Sequence, residues 1–465
     1  MGTKPRLALL MLLAVLGIAA GGGIAHADGA PSGTDVQVAQ TLGARELTVI
    51  IRRVDTTPSP LRVDVVTHEG TAPGTLHLAV AADGVTSARA DVVLGAEPGA
   101  YPGNLRVDKP GPWELSVSDG TGPAATIPFI VPARVVPPWE KATYGGFVAA
   151  GVFLLLALLV GVRARRTAFA LVPAGGAVAA IAVAVTGALL SASTPPPPAP
   201  GSQLDPTFDN VTDPYANAQL STVDYSRPPV NLAVHAEGGG LRLSLTDGAT
   251  GRPVDDLLVH DNALVHLVLV SPSGRMSHLH PGRVGPGDYR VRVADPEKGT
   301  YAVAAELVRR GGGVQLARST VDLDGAAQPA PEPPGAGPRT VDGTPVDLTI
   351  SPGSPTTITA HFPAQDLQPW LGMLGHLIIA GPIDGPVGES AAKAPTWAHV
   401  HAMTPPVAGQ ADRPDETVAA YGPDVSFTYT FAAPGRYRIW LQAERGYRVL
   451  TVPAVVDVPT TGAGR

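Results

Sequence analysis

Three histidines and a methionine fall within one short stretch, Val265 to Pro281, which reads VHLVLVSPSGRMSHLHP. Successive residues of a strand face opposite sides of a sheet, so His278 and His280 share a face with Met276. If Ser271 to Arg275 form the turn, Val270 stands opposite Met276. His266 then falls directly across from His280, with Cβ atoms roughly 4.5–5.5 Å apart. An even change of register keeps the three imidazoles on one side, whereas an odd one expels His266. Imidazole suits copper, zinc, nickel and iron, and a thioether narrows the choice towards Cu(I).

A second stretch repeats the pattern. From Gly375 the chain reads GHLIIAGPIDGP and, after an excursion rich in Gly, Ala and Pro, WAHVHAM, so that His376 is followed by His399 and His401, with Met403 on the same side. Asp256-Leu257 and Asp366-Leu367 precede the two leading histidines by the same interval, and KGTYAVAAEL (Lys298 to Leu307) matches PGRYRIWLQA (Pro434 to Ala443). This is an internal repeat. Of five methionines, Met1 and Met11 lie near the N-terminus, and Met276, Met373 and Met403 lie in or beside the histidine stretches. The expected metal ligands are therefore His266, His278, His280 and Met276, and His376, His399, His401 and Met403. A second reading stays open, because paired strand histidines also occur as structural imidazoles and strand methionines as core filler. Asp256 and Asp366 are candidates to orient imidazoles from behind, or to cap turns.

These stretches sit in a chain of 465 residues, enough for several domains. It starts with a basic, then apolar, then small-residue segment ending Ala25-His26-Ala27, the layout of a secretory signal over residues 1–27. With no cysteine, disulfides and thiolate metal sites are excluded. A net charge of −7 with 16% charged residues gives no basic footprint for nucleic acid. Gly 54 and Pro 49 with 44% apolar residues point to short strands between many turns.

Residues 35–132 alternate apolar and polar with regular turn signals, predicting an immunoglobulin-like β-sandwich of about seven strands with Trp113 in its core. Its His68 and His77 stand apart and read as structural or surface residues. Two uncharged apolar runs follow, 144–162 and 168–191, each long enough to span a membrane. The intervening loop, 163–167, carries Arg163, Arg165 and Arg166 and belongs on the cytoplasmic side. Trp139 and Tyr144 suit an interfacial anchor. The prediction is a transmembrane α-helical hairpin with both flanks outside. A Pro-rich linker, 192–229, leads to a second sandwich, 230–324. A Pro/Gly linker, 325–338, leads to a third, 339–458, in which Trp370 and Trp397 flank histidine positions and would restrict water there.

The second and third sandwiches resemble the tandem extracytoplasmic modules of actinobacterial membrane proteins often linked with copper or heavy-metal tolerance. The matching pieces are His266-Leu267, Ser277 to Pro281 and Gly299 to Val303, then His376-Leu377, Ala398 to Ala402 and Gly435 to Trp440. Ala402 stands where that family has proline, and Pro382 to Thr396 enlarges the second hairpin loop. The resemblance covers about half the chain and implies a metal theme without a mechanism.

No nucleophile elbow, phosphate loop or HExxH motif is present, so no enzyme class is indicated. Two functions are expected from these residues. One is a membrane-anchored protein that captures, buffers or transfers copper, with zinc as the alternative ion and a metal transporter or envelope protein as partner. The other is a surface interaction protein with structural histidines.

Overall fold

The computed structural model describes residues 35–52, 54, 57–131, 138–164, 166–191, 227–329, 331–405 and 414–460. The expected signal sequence and most of the first linker, 192–226, lie outside them. The described residues form sandwich-like pairs of β-sheets and two long apolar helices, the fold class expected from the sequence.

The first sandwich contains β1 (Val36–Leu42), β2 (Arg45–Ile51), β3 (Ser59–Thr67), β4 (Gly74–Ala82), β5 (Val85–Leu94), β6 (Gly99–Val107), β7 (Gly111–Ser118) and β8 (Ala125–Val131). They make two four-stranded sheets, β1-β2-β3-β6 and β5-β4-β7-β8. Trp113 is buried between them, and its indole Nε1 donates to the Lys109 carbonyl at 3.0 Å. The count is eight strands and not seven. The added strand, β1, reads VQVAQTL, and its buried Gln40 and Thr41 break the apolar pattern by which a strand is recognised.

Helices α1 (Pro138–Arg163) and α2 (Leu171–Ser191) form a separate unit, a hairpin apolar on all sides. Both are long and apolar enough to cross a membrane. Small residues let them approach: a Cβ added at Gly146 would stand 2.7 Å from the Ala180 carbonyl.

The second sandwich pairs a sheet of β9 (Val230–Glu237), β10 (Gly240–Asp247), β14 (Gly282–Gly285) and β15 (Asp288–Arg292) with one carrying the histidines. That second sheet runs β11 (Leu257–Leu258), β16 (Gly299–Arg309), β12 (His266–Val270), β13 (Met276–Leu279), with β17 (Gly313–Leu323) on the other edge of β16. The third sandwich repeats the plan. One sheet contains β18 (Gly337–Val341), β19 (Thr344–Ser351), β20 (Thr356–His361) and β24 (Asp424–Tyr429). The other runs β21 (Leu367–Gln368), β25 (Gly435–Arg445), β22 (Met373–Gly381), β23 (Thr396–Met403), with β26 (Arg448–Val458) beside β25.

The strands of the leading histidines, β12 and β22, are central in their sheets and covered on both faces. Leu267 and Leu269 of β12 face their own sandwich core, while Val268 and Val270 face outward. In β22, Leu377 and Ile379 face the core, while Ile378 and Ala380 face outward. The two outward faces pack on each other, with Met276, Ala302, Ala304 and Trp440 completing the layer. This explains why HLVLV and HLIIA are continuous apolar runs and not alternating ones. The enlarged hairpin loop holds α3 (Val387–Lys393), whose Val387 and Ala391 enter the same layer. Ile378 is 1% exposed there, so Ile378→Ala should cost about 2–5 kcal/mol, read as a lower midpoint in denaturant titration of the whole chain.

Candidate metal centre

The register predicted for the first hairpin is the one observed, with Val270 opposite Met276 and Val268 opposite His278. Continuing by one pair brings His266 and His280 together, ring centroids 5.3 Å apart. In the second hairpin His376 pairs with His401 and Ile378 with His399. Because the two sheets meet on these faces, the two triads meet as well. His278 lies 5.1 Å from His399 and 5.6 Å from His376, and His266 lies 5.5 Å from His399, between ring centroids. Six imidazoles therefore form one cluster at the junction of two sandwiches, where the sequence alone gave one group per domain.

The hydrogen bonds fix which nitrogen of each ring is free. His266 Nε2 lies 3.0 Å from the His260 carbonyl oxygen, which only accepts, so that nitrogen carries the proton. His278 Nδ1 donates to Gln442 Oε1 at 3.1 Å, and Gln442 Nε2 donates to Thr451 Oγ1 at 3.0 Å. What remains, His266 Nδ1 and His278 Nε2, are two lone pairs facing each other at 3.2 Å. His280 donates through Nδ1 to Glu46 Oε1 at 2.5 Å, and its buried Nε2 has no hydrogen-bond partner. Thr41 braces this contact, since its hydroxyl donates to Glu46 Oε2 at 2.6 Å and accepts the His280 backbone N–H at 2.8 Å.

In the second triad no such bonds fix the outer nitrogens of His399 and His376. His399 Nε2 and His401 Nε2 face each other at 3.3 Å, while their Nδ1 atoms lie 3.6 Å from Glu306 and 3.4 Å from Asp261. The separation from Glu306 is too long for a hydrogen bond, and His399 Nδ1 has none. His376 is fully buried with neither nitrogen bonded. A tetrahedral ion with bonds of about 2.0–2.1 Å needs nitrogens about 3.3 Å apart, which is the spacing of one pair in each triad. Within each triad one ligand atom per residue lies within 4.8 Å of the others. These buried histidine triads could hold a metal ion.

Burial, followed by repulsion from neighbouring imidazoles, pushes His266, His278 and His376 well below the usual histidine range. Burial and then His399 lower His401 to about 4, against the pull of Asp261 and Glu306. These four rings are thus neutral at pH 7, the form that binds metal. Trp370 seals one side, with its ring centroid 5.1 to 5.8 Å from those of His278, His280 and His376.

Other predicted residues lie elsewhere. Met403 is 66% exposed, and Met276 is buried in the apolar interface layer at the far end of β13 from His280. Asp256 and Asp366 orient no imidazole. They bind Arg309 and Arg445, the residues paired with Leu257 and Leu367 at equivalent points of the repeat. His77 makes an exposed hydrogen bond with Asp91, and His68 a buried ion pair with Glu444 at 2.5 Å. The residues that sequence reasoning missed are Glu46, Gln442, Glu306, Asp261 and His260. For two of them a signal existed. Glu306 and Gln442 occupy equivalent places in the aligned AAEL and WLQA segments, the one polar residue among apolar neighbours, and each pairs across its sheet with the leading histidine.

A chain of three β-sandwiches, an apolar helical hairpin and one buried six-histidine cluster has limited likeness to known proteins. Residues 339–460, in the third sandwich, match a family described as a domain of unknown function, DUF8832. No curated protein matches. Among solved structures, a tetra-tandem repeat from the extending region of a large adhesion protein is similar at 13% identity. It covers 91% of this chain and 74% of that one, with a TM-score of 0.16. The human OSCAR ligand-binding domain is 14% identical over 50% of this chain and 99% of its own, with a TM-score of 0.13. A bacterial ice-binding adhesin is 8% identical over 90% and 98%, with a TM-score of 0.14. No conclusion about this chain rests on likenesses of that size.

Burial of the neutral rings makes stability depend on pH in a defined direction. On unfolding, the four lowered histidines return to about 6.5 and take up protons that the folded, metal-free chain does not bind. Their contribution is present above pH 6.5 and is lost as the pH falls towards 4. His68 acts oppositely. Burial would lower it, but the charge and hydrogen bond of Glu444, with Glu416 and Glu46, hold it at about 9. Its contribution is complete below 6.5 and disappears as the pH rises through 9. Thermal midpoints of the metal-free chain should therefore peak near pH 6.5, and His68→Gln should flatten only the alkaline side.

Proposed function

We propose that this is a membrane-anchored, extracytoplasmic metal-binding protein that holds two neighbouring ions, copper in the first instance, in the six-histidine cluster. One observation carries the reading: His266 Nδ1 and His278 Nε2 face each other at 3.2 Å, in a setting that disfavours protonation, with the other nitrogen of each ring committed to an acceptor. Two lone pairs that close repel unless a cation lies between them. Three neutral imidazoles per ion favour copper or zinc over harder cations. With Met403 in solvent and Met276 in the apolar layer, the preference for copper rests on nitrogen donors and on the resemblance of the tandem modules.

The role in the cell is capture, buffering or transfer. The helical hairpin anchors the chain, the arginines between its helices stay cytoplasmic, and the sandwiches stand outside. A membrane metal transporter or another envelope protein is the partner that this role calls for.

The test uses the detergent-solubilised whole chain, titrated with Cu(I) under reductant, with Cu(II) and with Zn(II). Two equivalents should bind in the histidine cluster, and at a free ion concentration 100-fold above Kd the unfolding free energy should be raised by about 2.7 kcal/mol per site. The double variant His278→Ala, His399→Ala should lose both equivalents. If the wild type binds no more than that variant, the metal reading fails, and an anchored surface-interaction protein with structural histidines takes its place.

A further inference from the structure

The two sandwiches meet as a near-symmetric pair, but the two ends of the histidine cluster differ. By the repeat, His260 corresponds to Trp370 and Asp261 to Leu371, each pair lying six and five residues before the leading histidine. The backbone agrees, because His260 bridges Ala263 as Trp370 bridges Met373, and Asp261 and Leu371 both take positive φ, 45° and 56°. At one end the pair is Trp370 and Leu371, buried against Ala39 of the first sandwich. At the other it is His260 and Asp261, with side chains 27% and 17% exposed.

Three donors converge at this open end. His260 Nε2 lies 3.1 Å from Asp261 Oδ2 and 4.0 Å from Glu306 Oε1, and one ligand atom from each lies within 4.8 Å of the others. The same carboxylates face the buried cluster. Asp261 Oδ2 is 3.4 Å from His401 Nδ1, and Glu306 Oε2 is 3.6 Å from His399 Nδ1, which has no hydrogen-bond partner although its side chain is 5% exposed. The donor set is one imidazole and two carboxylates, partly open to water. It differs in kind from the all-imidazole interior and suits a hydrated divalent ion of borderline softness such as Cu(II) or Zn(II).

We infer that His260, Asp261 and Glu306 form a third cation site, which receives a divalent ion from solvent and loads the histidine cluster behind it. The loading role rests on the metal reading of that cluster, whereas the site itself does not. An ion arriving there is met by two negative charges before it gives up its water. The opposite end offers no such place, since Trp370 and the first sandwich close it.

The experiment uses the metal-stripped whole chain and Cu(II). His260→Ala removes one donor but leaves the His260 carbonyl that fixes His266, and His260→Gln is a second variant in case the first folds poorly. The wild type should bind one equivalent more than either variant, and the extra ion should show a single-imidazole, oxygen-rich electron paramagnetic resonance signal. The variants should fill the buried positions at least about tenfold more slowly, while reaching the same final occupancy there. Equal stoichiometry and equal loading rate in wild type and variants would overturn the proposal. A different outcome isolates failure of the interior reading: the wild type binds one Cu(II), His260→Ala binds none, and His278→Ala, His399→Ala still binds one.

Discussion

The apolar contact between β12 and β22 is the constraint on which the centre depends. Each strand carries its histidine at one end of an outward face whose remainder is Val, Ile or Ala, and those remainders pack together. Hydrophobic burial here does more than stabilise two domains, because it sets the distance between two polar groups that would otherwise repel. Each small side chain, Ala302, Ala304 or Ala380, lets the sheets come close enough for imidazoles to touch. Near the interface end of the third sandwich the indole Nε1 of Trp440 donates to the Gly274 carbonyl of the second at 3.1 Å, which adds a directional bond to a contact that is otherwise non-directional.

Responsibility for orienting the rings crosses domain boundaries. Gln442 of the third sandwich holds His278 of the second, Glu306 and Asp261 of the second face His399 and His401 of the third, and Glu46 of the first holds His280. No single sandwich therefore contains a finished centre. The first sandwich is fastened by further polar contacts: Glu69 with Arg448, His68 with Glu444, and Arg283 with Glu114 and Thr126. Its part is to supply Glu46 and to cover Trp370, a role that its own sequence does not reveal.

Much of the architecture was legible because it is local. Period-two alternation marked the strands, parity placed the three histidines of the first hairpin, and His399 with His401 in the second, on one side, and the five-residue turn gave the register of the first. What lies between domains was not legible. Nothing in VHLVLV says which other surface its outward face meets, so the two triads read as separate. The methionines read as ligands for the same reason, since a shared face is a necessary condition for ligation and not a sufficient one: Met276 is one strand position beyond the cluster on the apolar side, and Met403 one position beyond it on the wet side. Asp256 and Asp366 misled by position, because a carboxylate near a histidine in sequence found an arginine nearer in space.

The placement of Trp370-Leu371 at one end and His260-Asp261 at the other has a consequence for how such a protein arises. Two identical modules joined as a two-fold homodimer must present the same residues at the two poles of the cluster that the axis interchanges, either both plugged or both wet. Fusing the modules in tandem frees each copy to diverge, so that one pole is closed by Trp370 and Leu371 and the other leaves His260 and Asp261 partly exposed. Covalent duplication thereby gives the histidine cluster two unlike ends, which exact symmetry would forbid.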